Sequence, residues 1–184
     1  MKLVDITYMH ESSIHHHDIE NLHATAFGPA RYTRAAHFIR HGGSHDRSIS
    51  FIASAYQKII ASIRMTPIII GFSKALLLGP IVVSSTYKNA GIGSTLINMA
   101  LKAAEKKRHK LVILIGDEAY YRRFHFLHVH ADQMIMPLPV NPKRLLGREF
   151  TPGALSKANG IVRHINCLRN ETSTIPVLNC ILSV

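Results

Sequence analysis

The 184-residue chain is predicted to form one α+β domain of the α/β/α sandwich type, with a mixed, mostly antiparallel sheet around a central βαβ unit. Three observations carry that prediction. Residues 49–56, 59–70 and 75–83 are apolar, β-branched runs joined by short links, the pattern of an antiparallel meander. Residues 91–107 place Leu96, Ile97, Ala100, Leu101 and Ala104 on one helical stripe, with Ser94, Asn98, Lys102 and Glu105 opposite. Residues 111–115 then form a continuous apolar run, as in a strand covered on both faces. Strand, helix and strand in that order require two parallel strands with a right-handed crossover.

The other elements follow in order. Residues 3–8 partly alternate and read as a short first strand. In 15–27, Ile19, Leu22, His23 and Ala26 recur at helical spacing until Gly28-Pro29 ends the run. A second helix covers 31–40, before the loop His41-Gly42-Gly43-Ser44. The first turn of the meander falls at Gln57-Lys58 and the second at 71–74. Gly79-Pro80 interrupts the third run; proline has no N–H for a ladder, so a bulge or an unpaired edge is expected there. Asp117 reads as the N-cap of a helix through Tyr120, Tyr121 and Phe124. Residues 126–129 and 133–136 are expected as two last strands, with Pro137, Pro139 and Pro142 stopping the sheet. The domain spans 1–153, and 154–184 is a C-terminal extension without a sustained period.

Composition bounds the function. Hydrophobic residues make up 47% of the chain, enough for a real core and too many for a disordered one. Two cysteines, Cys167 and Cys180, cannot build a disulfide framework or a four-cysteine zinc site, so a reducing cytoplasm is expected. Asp5 falls where a signal peptide needs apolar residues, and no apolar run approaches the roughly 20 residues that span a bilayer. No membrane association is expected. Lys and Arg exceed Asp and Glu by 22 to 11, a net charge of +11 that favours anionic partners. No acid occurs between Arg47 and Ala104. The basic cluster at 106–110 ends a predicted helix, where cations complement the dipole, and nucleic acid is not the expected partner. His15, His16 and His17 point in three directions along a helix start, so no metal site is expected.

The segment Tyr87-Lys88-Asn89-Ala90-Gly91-Ile92-Gly93 lies at the carboxyl end of one predicted strand and opens a helix. The first N–H groups of a helix lack partners and carry partial positive charge, and glycines let a phosphate approach that backbone. A Walker loop would need Lys before Ser94, and a dinucleotide fingerprint would need Gly in place of Leu96 and a turn directly after the strand. Neither pattern is met.

Taken together, residues 77–83, the loop 87–93 and Gly116-Asp117-Glu118-Ala119-Tyr120-Tyr121-Arg122-Arg123-Phe124-His125-Phe126 resemble the GCN5-related N-acetyltransferases, the GNAT family. That family's pyrophosphate loop, Gln/Arg-x-x-Gly-x-Gly/Ala, is matched by Lys88-x-x-Gly91-x-Gly93, and the likeness runs from about Met1 to Gly153. The resemblance implies acetyl-CoA as cosubstrate. Lys88, Asn89, Ala90, Gly91, Ile92, Gly93 and Ser94 would hold its pyrophosphate, and the backbone of Ile81, Val82 and Val83 its pantetheine arm. Tyr121 would be the general acid for the departing thiolate. Lys88 stands where the family has Gln or Arg, and His125 where it usually has Gly.

The implied activity is transfer of an acetyl group to a primary amine by direct attack. A small amine, an antibiotic, a polyamine and a protein N-terminus all remain open as acceptor. Glu118 and His37 are candidate bases beside a water relay, and no base is assigned. Arg31-Tyr32-Thr33-Arg34 either shapes an acceptor site or forms a surface face. A homodimer is compatible with this reading. Two rivals stand against it: an acyl-CoA-binding module without catalysis, acting as sensor or partner subunit, and a nucleic-acid binder resting on charge alone.

Overall fold

The computed structural model describes residues 5–168. Cys180 and the remainder of the extension after 168 lie outside the described residues. The strands pair in the order β1-β2-β3-β4-β5-β8-β6, with β9 on β3 and β7 on β9, a mixed and mostly antiparallel sheet as predicted. The chain forms two compact units, and both β3 and β4 pass from one to the other.

The first unit comprises Met1–Arg31, Asp46–Met65 and Leu78–Arg108. It holds β1 (Thr7–His10), α1 (His16–Phe27), β2 (Phe51–Ala55), the first part of β3 (Lys58–Ile70), the end of β4 (Ser73–Val83) and α3 (Ile92–Lys106). β1 begins at Thr7, later than the sequence suggests, and runs antiparallel to β2, with Thr7 facing Ser54 near the end of β2 and His10 facing Phe51 at its start; residues 3 and 4 of the expected strand lie outside the described residues. The β2–β3 turn sits at Tyr56 and Gln57, both at positive φ (50° and 61°), one residue before the expected position. Two left-handed residues suit the twist of a two-residue hairpin, although neither is the usual Asn or Gly. α3 buries Ile92, Leu96, Ile97, Ala100, Leu101 and Ala104, the stripe read from the sequence. α1 buries Ile19 and His23, while Ala26 is exposed.

Polar groups are also buried in this unit. The Arg64 guanidinium grips the Glu11 carboxylate in a fork, Nε to Oε2 at 3.0 Å and Nη2 to Oε1 at 2.9 Å. Its Nη1 donates to Glu20 Oε1 at 2.7 Å. His23 Nε2 meets Ser62 Oγ at 3.0 Å. Arg64 and Ser62 are two residues apart on β3 and therefore share a face of the sheet. The helix α1 thus meets that face through the hydrogen bonds of Glu20 and His23.

The second unit comprises Tyr32–His45, Thr66–Leu77 and His109–Val184. It contains α2 (Ala35–His41), the remainder of β3 and β4, β5 (Leu111–Ile115), α4 (Glu118–Tyr121), β6 (Leu127–His128), β7 (Met134–Ile135), β8 (Leu145–Glu149), α5 (Ala154–Lys157) and β9 (Gly160–His164). β4 runs parallel to β5, with Leu76 opposite Val112 and Leu77 opposite Ile113, so α3 is the crossover of the predicted βαβ unit. The core gathers Ile39, Ile68, Ile70, Leu77, Leu111, Ile113 and Val162.

Here two expectations are corrected. The prolines do not end the sheet, because β8 follows them and pairs with β5 on one side and β6 on the other. The two strands expected before them shrink to two residues each, and β7 pairs with β9. β8 escapes pattern reading because only Leu145 and Leu146 are apolar; Gly147 is buried between strands, where an added Cβ would lie 2.7 Å from Leu155 Cδ1. β9 likewise has a weak pattern and is held by Gly71. There, φ of +56° and a would-be Cβ 2.2 Å from the Asn159 carbonyl oxygen leave room for glycine alone. The Gly71 N–H donates to Ile161 O at 3.0 Å.

Candidate functional site

β4 delivers the chain to α3 through a short turn. Ser84 N–H makes the last ladder bond, to Ile60 O at 2.7 Å, and a single 3-10 turn, Ser85–Tyr87, follows. Along β4 the Val82 side chain is buried and those of Ile81 and Val83 are half-buried. Lys88, Asn89, Ala90 and Gly91 are all exposed, with Asn89 at φ +65° and Gly91 at φ +76°. Ile92, 1% exposed, pins the loop to the core.

Gly91 is the N-cap of α3, and no side chain caps the helix. Its carbonyl accepts the first helical bond, from Thr95 N–H at 3.0 Å. The N–H groups of Ile92, Gly93 and Ser94 precede that bond and have no carbonyl partner inside the helix. A Cβ built on Gly91 would meet nothing within 4 Å, so there is open space beside these donors. Unpartnered donors and the positive end of a helix dipole favour an anion at such a position, and Lys88 is exposed at the loop's start. The seven loop residues named from the sequence and the three on β4 all belong to the first unit, with residues 84–87 between the two groups.

Tyr121 belongs to the second unit. Asp117 caps α4 as predicted, its Oδ1 accepting from Ala119 N–H at 3.1 Å. The helix is shorter than expected and passes into a 3-10 turn over Arg122–Phe124. His125 then adopts φ +60°, ψ +29°, the left-handed conformation that a glycine takes without strain. The substitution of the family's glycine therefore leaves the turn in place. Tyr121 is half-buried, lies against Gly116, and stands edge-on to Phe126 with ring centres 5.9 Å apart. Burial, with a smaller push from Tyr120, raises its phenol to about 12 against a weaker pull from Arg144. The group stays protonated throughout the neutral range and is a donor there.

Of the two candidate bases, His37 is half-buried on α2 in an edge contact with Tyr32, ring centres 5.2 Å apart. Glu118 sits on the first turn of α4, and His128 Nε2 lies 2.9 Å from its Oε2. The sequence reading missed His128, since ten residues separate the pair and only the return of the chain in β6 joins them. His15 serves the start of α1, its Nδ1 accepting from Ser12 N–H at 3.1 Å. No group of three or more metal-ligating side chains occurs among the described residues.

The acetyltransferase (GNAT) family model matches residues 16–126, more than half of the chain. The chain belongs to the GNAT family. Solved structures share its fold at low identity. A GNAT family N-acetyltransferase of Escherichia coli, YhbS, in complex with CoA, superposes with a TM-score of 0.75 at 17% identity, covering 92% of this chain and 94% of that one. A GNAT family acetyltransferase of Brucella melitensis, in complex with acetyl-CoA, gives 0.64 at 19% identity, covering 90% and 99%. Naa50 of Arabidopsis thaliana, bound to the bisubstrate analogue CoA-Ac-MVNAL, gives 0.56 at 16% identity, covering 80% and 100%. A comparison with curated proteins gives no match. No helix among the described residues is long and apolar enough to cross a membrane.

Proposed function

We propose that this GNAT protein is an N-acetyltransferase that moves an acetyl group from acetyl-CoA to a primary amine by direct attack. The uncapped start of α3 carries the reading. There the N–H groups of Ile92, Gly93 and Ser94 and the Lys88 ammonium would hold the pyrophosphate, in a stretch of chain without one carboxylate. The β4 backbone at Ile81, Val82 and Val83 would hold the pantetheine arm, with Pro80 leaving one N–H out of that edge. Tyr121 donates its proton to the departing thiolate, whose ordinary pKa of about 8.5 is below that of the phenol but leaves it basic enough to accept a strong hydrogen bond. CoA or acetyl-CoA in the Escherichia coli and Brucella melitensis structures supports this choice of donor.

Calorimetric titration of acetyl-CoA, with NAD as control, tests the binding step. Micromolar affinity, about −8 kcal/mol, is expected for acetyl-CoA and none for NAD. Gly91→Glu is expected to abolish it, since the new side chain is anionic, fills the open space and sits at φ +76°. Well-folded protein that binds no acetyl-CoA at millimolar concentration overturns the reading. Thiol release from acetyl-CoA with spermidine, an aminoglycoside and a peptide bearing a free α-amine then tests transfer. Binding without release would instead favour a sensor or partner subunit.

A further inference from the structure

Resting on that acetyl-transfer reading, the geometry points to His128 as the catalytic base, held in its working tautomer by Glu118. An ionised carboxylate only accepts hydrogen bonds. The 2.9 Å contact between Glu118 Oε2 and His128 Nε2 therefore places the imidazole proton on Nε2 and leaves the Nδ1 lone pair to take a proton. Arg122 Nε lies 3.9 Å from the other carboxylate oxygen. The pair is anchored from two sides. Glu118 lies in the turn capped by Asp117, and His128 stands opposite Leu146 on β8.

Placement supports the role. Glu118 and Tyr121 are three residues apart on α4, a spacing that puts Cβ atoms about 5–6 Å apart on a helix. One short helix thus carries the proton donor and the residue that orients the base. Both members are accessible, with side-chain exposures of 33% for Glu118 and 44% for His128. The strands β2, β3 and β4 cannot supply a carboxylate base, because no Asp or Glu occurs between Arg47 and Ala104.

The step balances. His128 Nδ1 takes a proton from the amine as its nitrogen bonds to the thioester carbonyl carbon. The C–S bond breaks and its electron pair leaves on sulfur, which takes the Tyr121 proton. Amide and free thiol are released. Solvent carries the proton gained by His128 back to Tyr121.

The test follows thiol release from acetyl-CoA with the three amines above, and with water alone as the nucleophile. His128→Gln is expected to lower kcat about 10²–10⁴-fold, while calorimetric affinity for acetyl-CoA stays at the wild-type value. Added imidazole restores turnover to His128→Gly. Glu118→Gln, whose amide oxygen still accepts from Nε2, keeps far more activity than Glu118→Leu, a difference that loss of a surface ion pair would not produce. Full kcat in His128→Gln, with acetyl-CoA bound and turned over by the wild type, overturns the assignment and leaves the acetyltransferase reading intact. Wild-type protein that binds acetyl-CoA yet releases no thiol, even to water, overturns both catalytic readings.

Discussion

Replacing Arg64 by Met tests whether the buried polar contacts between β1, α1 and β3 organise the first unit. Arg64 is 8% exposed and Glu11 3%. Three short bonds leave the guanidinium: two reach Glu11 at 3.0 and 2.9 Å and one reaches Glu20 at 2.7 Å. Met replaces much of the apolar stem, so the loss is mainly electrostatic. Removing one partner of a buried pair costs about 3–5 kcal/mol, because the remaining charge keeps its desolvation penalty. With a urea m-value of about 2 kcal/mol/M, the unfolding midpoint drops by roughly 1.5–2.5 M. That is a large share of a stability of about 5–15 kcal/mol. Arg64→Met with Glu11→Leu removes both charges and is expected to recover part of the loss.

The pH dependence follows from Glu20. Burial would raise its carboxyl, but the hydrogen bond and charge of Arg64, with smaller help from His23 and His16, hold it below its ordinary value of 4.5. A depressed folded pKa contributes stability that is present above the ordinary value and lost as pH falls through the folded one. The gap between wild type and Arg64→Met is therefore widest near neutrality and narrows below about pH 4.5, measured by urea unfolding at each pH. A midpoint for Arg64→Met within about 0.3 M of wild type at neutral pH would refute the reasoning, since it corresponds to well under 1 kcal/mol.

Two further outcomes concern Tyr121. Its raised folded pKa, about 12 against 10.0, gives stability that is complete below pH 10 and is lost as pH rises toward 12. Urea unfolding should register a fall on the order of 2–3 kcal/mol that Tyr121→Phe lacks, and kcat should show no alkaline limb from this group below about pH 11. A Cβ on Gly116 would lie 2.3 Å from Tyr121 Cε2 and 2.9 Å from Leu114 Cδ1. Gly116→Ala should therefore displace the phenol, costing about 1–3 kcal/mol in stability and lowering kcat while calorimetric acetyl-CoA binding is retained; unchanged kcat would count against Tyr121 as the acid.

The chain's local patterns were sufficient for the elements whose burial is regular. α3 shows its apolar stripe at period 3.6, β5 its five-residue apolar run, and the loop at Lys88–Gly93 its glycines, and each stands where the pattern puts it. These features depend on neighbours in sequence, so the sequence alone displays them. What only the tertiary structure decided depends on neighbours in space. β8 is a strand because β5 and β6 offer edges on both sides of Gly147, and β9 because Gly71 leaves room for its backbone. His125 can occupy a glycine's conformation because the turn between α4 and β6 requires a positive φ at that position. His128 became a candidate base only when β6 brought it to 2.9 Å from Glu118. Hydrogen-bond partners ten or fifty residues away leave no periodic trace, because distance along the chain is unrelated to which groups a folded backbone brings within reach.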